Sequence, residues 1–161
     1  MGSGYAVILG MGSSLPDRGL LLSQAWGDVP VSYIQDHEDT NECTFLDLKV
    51  NKWEVNSQWS NKQVSEPWIR IEMLKGQALE QYMQGEGLPF PIEVEHEALM
   101  IFELDEGGTE LDEMLLLRLL SVFCGSSKVY RLSNCIEDGS ESIIDTLPSC
   151  HTVRELLIKC E

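Results

Sequence analysis

A turn near the N-terminus has the small residues that bind phosphate groups in many proteins: Gly10, Gly12, Ser13 and Ser14. It follows an apolar run, and small residues after a buried strand let backbone N–H groups approach phosphate oxygens. Arg18 is the nearest cation. However, Leu15 stands where a dinucleotide-binding turn needs its third glycine, and the lysine motif of phosphate-binding loops is absent. We expect a plain strand-to-helix turn, with a nucleotide- or phosphate-binding protein or enzyme as an alternative.

Two short segments combine carboxylates with histidine, the residue types of metal and acid–base sites: Asp36–Asp39 and Glu95–Glu97. Neither contains two histidines at helical spacing. Cys150 and His151 are adjacent, and neighbours on a chain rarely face each other as a nucleophile and its base must. We expect an acidic loop and a histidine on a sheet face. The sequence therefore predicts no catalytic residue, no metal and no cofactor, and it favours a non-enzymatic protein.

The stretch between Lys75 and Arg118 contains no lysine or arginine and carries many carboxylates. These are Glu80, Glu86, Glu93, Glu95, Glu97, Glu103, Asp105, Glu106, Glu110, Asp112 and Glu113. In the whole chain, 27 acidic residues against 11 basic ones give a formal charge of −16. Such a charge disfavours direct binding to nucleic acid or to an anionic membrane, and it attracts a basic protein. We expect the carboxylates to lie on one side of the fold, where Glu93, Glu95 and Glu97 steer the partner; solubility alone is the alternative.

Three tryptophans lie in a polar segment rich in asparagine and serine: Trp53, Trp59 and Trp68. Tryptophan near a protein surface is enriched among the residues that contribute most to binding energy. We expect one of them, Trp59 or a neighbour, to anchor the partner. In the alternative interpretation they cover the edge of a small sheet.

These features predict an acidic, non-enzymatic protein-binding module, such as an inhibitor, an immunity protein, an adaptor or a dedicated chaperone. Its partner is a basic protein that contacts the carboxylates and a tryptophan. A nucleic-acid mimic, in which rows of carboxylates imitate phosphates, is a third hypothesis.

Length and composition fit a single domain spanning residues 1–161, since 43% of the residues are apolar and form a core without additional cross-links. Residues 1–4 resemble a remnant of cloning, and we leave them out of the predicted fold. The five cysteines are an odd number without a C-x-x-C pair, which favours reduced thiols and a cytoplasmic location. We expect no membrane-spanning segment, because no apolar run is long enough.

Apolar runs and alternation predict six strands: Tyr5–Leu9, Val29–Ile34, Thr44–Val50, Trp68–Leu74, Ile92–Leu104 and Lys128–Leu132. Two alternatives stay open: Trp68–Leu74 as the start of the following helix, and Ile92–Leu104 as a kinked pair instead of one long strand. Helical spacing predicts four helices: Gly19–Trp26, a helix after Leu74 that continues to Gln84, Leu111–Phe123 and Thr152–Cys160. Because several strands follow one another directly, the order predicts an α+β fold. We expect a mainly antiparallel sheet packed against three or four helices in a single pair of layers, with an α/β fold as the alternative.

Local signals give these elements their expected ends and faces. Pro16 and Asp17 suit the first turn of one helix. The spacings Thr109–Asp112 and Thr152–Glu155 are typical of capping boxes, and Gly125 is a stop signal. Even-numbered residues of Ile92–Leu104 are apolar except for His96, so we expect the opposite face of that strand to be exposed to solvent. We expect residues 137–141 to form a polar loop.

Overall fold

The computed structural model describes residues 4–10, 17–38, 42–61, 67–86, 98–105, 108–123, 128–132, 137–138 and 147–159. The strands are β1 (Gly4–Leu9), β2 (Val31–Gln35), β3 (Phe45–Val50), β4 (Ile69–Leu74), β5 (Ala98–Leu104), β6 (Lys128–Leu132) and β7 (Glu137–Asp138). The helices are α1 (Arg18–Trp26), α2 (Lys52–Val55), α3 (Gln77–Glu86), α4 (Glu110–Ser121) and α5 (Cys150–Lys159), with a 3-10 turn at Ser57–Asn61.

The seven strands form one sheet in the order β2-β3-β4-β5-β1-β6-β7. Every pairing between these described strands is antiparallel. The predicted α+β class is confirmed, and the α/β alternative is wrong. Gly4, which we left out of the predicted fold, pairs with Glu103 and Leu132 and so belongs to β1.

The main core lies between one face of the sheet and the helices α1, α4 and α5. Alternate residues of the central strands point into it, among them Val7, Ile71 and Phe102. The Trp26 side chain is fully buried, and its indole Nε1 donates a hydrogen bond to the Leu115 carbonyl at 2.8 Å. This bond fixes α1 against α4.

The other face of the sheet is partly covered by α3. Leu79 of α3 packs against Leu99 and Ile101 of β5, and all three side chains are buried. The prediction that this face of β5 is exposed was wrong at these two positions, because a helix covers them. Glu103 on the same face is exposed, as expected. Thus α3 adds a cover beyond the predicted pair of layers.

Helix starts agree in part with the capping signals. The Asp17 carboxylate accepts from the backbone N–H of Leu20 at 2.8 Å and caps α1. The helix α5 begins earlier than predicted, because the hydroxyl of Ser149 accepts from the N–H of Thr152 at 3.1 Å. Glu137 and Asp138 form β7 instead of a loop. The predictions for Pro16, Gly125, residues 92–97 and Cys160 lie outside the described residues.

Candidate functional site

Antiparallel pairing brings all three predicted tryptophans to one end of the sheet. The register pairs Val31 with Val50 and Ile69 with Leu104, so β2 and β4 begin where β3 and β5 end. We call the segments that meet there, residues 28–30, 51–61, 67–68, 105 and 108–113, the tryptophan end. Trp53 and Trp59 follow β3, and Trp68 precedes β4.

Trp53 is the most exposed of the three tryptophans, with 52% of its surface accessible to solvent. It lies on α2 beside the exposed Glu54. The preceding residue, Lys52, is buried. The short helix therefore presents one indole outward and one ammonium group inward.

The ammonium group of Lys52 forms a buried ion pair that ties α2 to α4. Its Nζ lies 2.6 Å from Asp112 Oδ1, and each side chain is only 4% exposed. Asp112 Oδ2 also accepts from the backbone N–H and the hydroxyl of Thr109, both at 2.8 Å. Asp112 was counted among the carboxylates expected at the surface, but its charge is taken up by Lys52 inside the protein.

Trp59 has a structural role at this end. Its Nε1 donates to the Leu157 carbonyl at 2.7 Å, and Asn56 Nδ2 donates to the Ile158 carbonyl at 2.6 Å. Both carbonyls lie in the last turn of α5, where a helix has no internal donors for them. Lys52 Nζ also lies 5.1 Å from the centre of the Trp59 ring. Trp59 thus joins α5 to the segment after α2.

Trp68 is half-buried and is held by neighbouring strands. Its backbone N–H donates to Asp105 Oδ2 at 3.3 Å, while its carbonyl accepts from the Asp105 N–H at 3.0 Å. Lys49 Nζ lies 5.3 Å from the centre of its ring. The Trp68 ring therefore already contacts a cation of the chain itself.

Exposed carboxylates accompany Trp53 at the tryptophan end: Asp28, Glu54, Asp105 and Glu110. Of the acidic stretch, Glu80 lies on α3, across the sheet from α4. The described carboxylates of that stretch therefore do not all lie on one side, contrary to our expectation, because its helices pack on opposite faces. Glu93, Glu95 and Glu97 lie outside the described residues.

Arg18 is held away from the glycine turn. Its guanidinium carbon lies 3.4 Å from the centre of the Tyr33 ring, and its Nη1 donates to Gln35 Oε1 at 2.6 Å. Tyr33 and Gln35 are on edge strand β2, whereas Gly10 follows β1, four strand spacings or about 19 Å away. Gly12, Ser13 and Ser14 lie outside the described residues.

The carboxylate of Asp36 stabilises the β2–β3 connection. It accepts from the Thr44 hydroxyl and N–H at 2.5 and 2.8 Å, and the hydroxyl contact is the main cause that lowers its pKa from the ordinary value. Within the described ranges, no group of three histidine, cysteine or carboxylate side chains could hold a metal ion.

The chain matches no protein family, no curated protein and no solved structure. In the part of the chain that the structure describes, each helix is too short or too polar to cross a bilayer.

Sequence reasoning missed Asp28 at this end, and it missed Ile158 of α5, which lies beside it. Ile158 is 55% exposed at the end of α5. Ile158 follows Leu157 by one residue and Val153 by five, so helical spacing places it off the apolar face of α5, a signal of exposure that we did not use. Glu54 was also missed, although its position beside Trp53 was a visible signal.

Proposed function

We propose that this protein is a non-enzymatic module that binds a basic protein through Trp53 and the carboxylates around it. The observation that supports this proposal best is a half-exposed tryptophan on a firmly held support. Indole is among the side chains that contribute most when a protein interface forms, because it buries a large area with few rotatable bonds.

The support of Trp53 is fixed on both sides along the chain. The N–H of Asn51 donates to the Pro30 carbonyl at 2.9 Å, and Lys52 is held by Asp112. After the helix, Asn56 and Trp59 bind the end of α5. A side chain presented in one position loses less conformational entropy on binding than one on a mobile loop. This arrangement therefore favours an anchor role for Trp53.

The charge of the chain supports a basic partner. Glu54, Asp105 and Glu110 are exposed at the tryptophan end, and the whole chain carries −16. A negative surface raises the rate at which a positive protein is captured. An inhibitor, an immunity protein, an adaptor and a dedicated chaperone all fit this mode of binding. We place it in the cytoplasm, and the thiols of Cys43 and Cys150 support that location.

The two alternatives gain no support from a described contact. A phosphate site at Gly10 lacks Arg18, which binds Tyr33 and Gln35. A nucleic-acid mimic needs a long double row of carboxylates, whereas Glu80 and Glu110 lie on opposite sides of the sheet.

The anchor is tested by capturing partners from the native host with the wild-type chain, Trp53→Ala and Ile34→Ala. Ile34 is a matched control, because it is also 52% exposed. It lies near the C-terminal end of β2, whereas the N-terminal end of β2 lies at the tryptophan end. We expect a basic protein retained by the wild type and by Ile34→Ala, and lost from Trp53→Ala. Equal retention by all three would refute the anchor role.

The attraction of the basic partner by the carboxylates is tested with the purified partner. We expect the association rate constant to fall by about 10-fold or more between low and physiological salt, since steering by charge is screened. Dissociation should change much less. An association rate that does not depend on ionic strength would contradict attraction by the carboxylates.

A further inference from the structure

A small groove lies at the tryptophan end between α2, α5 and the segment before β2. Its volume is about 210 Å³. Its apolar lining comes from Val29, Pro30, Val55, Leu157 and Ile158. Charged side chains complete it: Asp28, Glu54 and Arg154. The groove therefore combines apolar walls with charged groups.

The two carboxylates outnumber the single cation at the groove. Asp28, Glu54 and Arg154 are all exposed, and among the described residues no ion pair joins them. Glu54 is the neighbour of Trp53 on α2, so the groove adjoins the anchor. A partner that contacts Trp53 would thus bring its neighbouring residues close to Asp28 and Glu54.

The occupant that fits such walls is a long side chain with an apolar stem and a positive end. Arginine and lysine place their methylene groups along apolar surface and keep the charged group near water. The stem would contact Val29, Val55 and Leu157, and the cation would lie near Asp28 and Glu54. An acidic side chain would meet two like charges there.

We propose that the groove binds an arginine or lysine side chain of the basic partner, next to the contact with Trp53. This inference rests on the proposed function and specifies the chemistry of the partner at one position. Arg154 is a like charge at the same groove, so it weakens binding of the incoming cation. The incoming cation therefore binds because Asp28 and Glu54 together outweigh Arg154.

The test uses the isolated full chain, labelled with ¹⁵N, and the amides of N-acetyl-arginine and N-acetyl-lysine as probes. We expect saturable shifts of the backbone amide signals of Val29, Val55 and Leu157. Asp28→Asn and Glu54→Gln should each weaken binding by about 2- to 5-fold, the usual range for exposed charge pairs. Arg154→Gln should strengthen it by a similar factor. The two probes show which cation is preferred.

Two controls separate this site from general attraction to a negative protein. Glu80→Gln removes the same charge on α3, across the sheet, and should leave the affinity unchanged. N-acetyl-citrulline amide has the shape of the arginine probe without its charge and should bind more weakly. Three outcomes would each overturn the proposal. The citrulline probe binds as tightly as the arginine probe, Arg154→Gln binds the cationic probes more weakly than the wild type, or the backbone amide shifts spread to all exposed acidic residues.

The outcome is independent of the capture experiment. If the probes fail while Trp53→Ala still loses the partner, the groove is wrong and the binding module stands. If the probes bind while Trp53→Ala retains the partner, the anchor role fails and the groove stands.

Discussion

Lys52 and Asp112 form an ion pair that allows both charged side chains to be buried. Both side chains are almost completely buried, 2.6 Å apart, and Asp112 also binds Thr109. A charge is stable inside a protein only when a partner and hydrogen bonds replace the lost water. The pair fixes α2, and with it the position of Trp53.

Removing one partner of this pair should therefore destabilise the fold strongly. We expect Lys52→Met to lower the free energy of unfolding by about 3–5 kcal/mol, because it leaves the Asp112 carboxylate buried without its cation. The double variant Lys52→Met with Asp112→Leu should lose less than the sum of the two single losses. Urea unfolding followed by circular dichroism measures each value.

The exposed pair Arg70–Asp47 is the matched control. Its atoms are 2.8 Å apart, but the Arg70 side chain is 46% exposed. Arg70→Met should cost less than about 1 kcal/mol, since solvent already screens this pair. Equal losses for Lys52→Met and Arg70→Met would mean that the Lys52–Asp112 pair is effectively solvated.

Asp36 gives a prediction about pH. Its pKa is lowered chiefly by the Thr44 hydroxyl. A carboxyl whose pKa is lower in the folded state stabilises the fold above its unfolded pKa, about 3.9, and this contribution is lost as the pH falls through the folded value. Thr44→Val should raise the pKa of Asp36 towards its ordinary value in an NMR titration.

The same substitution should also change the stability profile. Wild type should be more stable than Thr44→Val at neutral pH, and the part of the difference that is due to ionised Asp36 should disappear below the folded pKa. A pKa of Asp36 that does not respond to Thr44→Val would show that another group lowers it.

Among the elements, the segment formed by α2 and the following 3-10 turn both exposes a tryptophan and holds the end of α5. Trp53 points to solvent, whereas Trp59 and Asn56 supply donors to carbonyls in the last turn of α5. Those carbonyls otherwise depend on water. The segment therefore supports the fold with one tryptophan and offers the other for binding.

The two tryptophans should respond differently to substitution. Trp59→Phe removes the donor to Leu157 and should lower the free energy of unfolding by about 1–3 kcal/mol, without changing the affinity of the folded protein for a partner. Trp53→Ala should show the reverse: a smaller loss of stability and a large loss of affinity. Urea unfolding and partner binding, measured on both variants, give the comparison. Loss of affinity only in Trp59→Phe would assign the anchor to Trp59.

For the whole molecule, the charge of −16 is a cost to the folded state as well as a means of attraction. Like charges repel more strongly when the chain is compact. We expect the free energy of unfolding at neutral pH to rise when NaCl increases from 0.01 to 0.15 M, which shortens the screening length from about 30 to about 8 Å.

Glu80→Gln should reduce this salt effect slightly, because it removes one exposed negative charge on α3. Urea titrations at the two salt concentrations measure both quantities. A fall in stability with added salt would show that attractive ion pairs outweigh the general repulsion.

The sequence by itself determined the order and type of most elements, but not of the short ones, α2 and β7. Alternation in β3 and β4, the apolar length of α4 and the Asp17 cap are signals carried by neighbouring residues, and α1 and β4 form within one or two residues of their predicted bounds. Because the connection between β2 and β3 is too short for a parallel crossover, the element order also favoured the α+β class.

Only the tertiary structure decided which charged and aromatic side chains are available at the surface. Asp112 has the local pattern of a surface helix start, yet Lys52, remote in the chain, buries it. The same patterns left Trp53, Trp59 and Trp68 equivalent. In the structure the Trp59 side chain binds α5, the Trp68 backbone binds Asp105, and Trp53 is the most exposed of the three. Exposure depends on contacts between residues far apart in sequence, and local periodicity carries no information about those contacts.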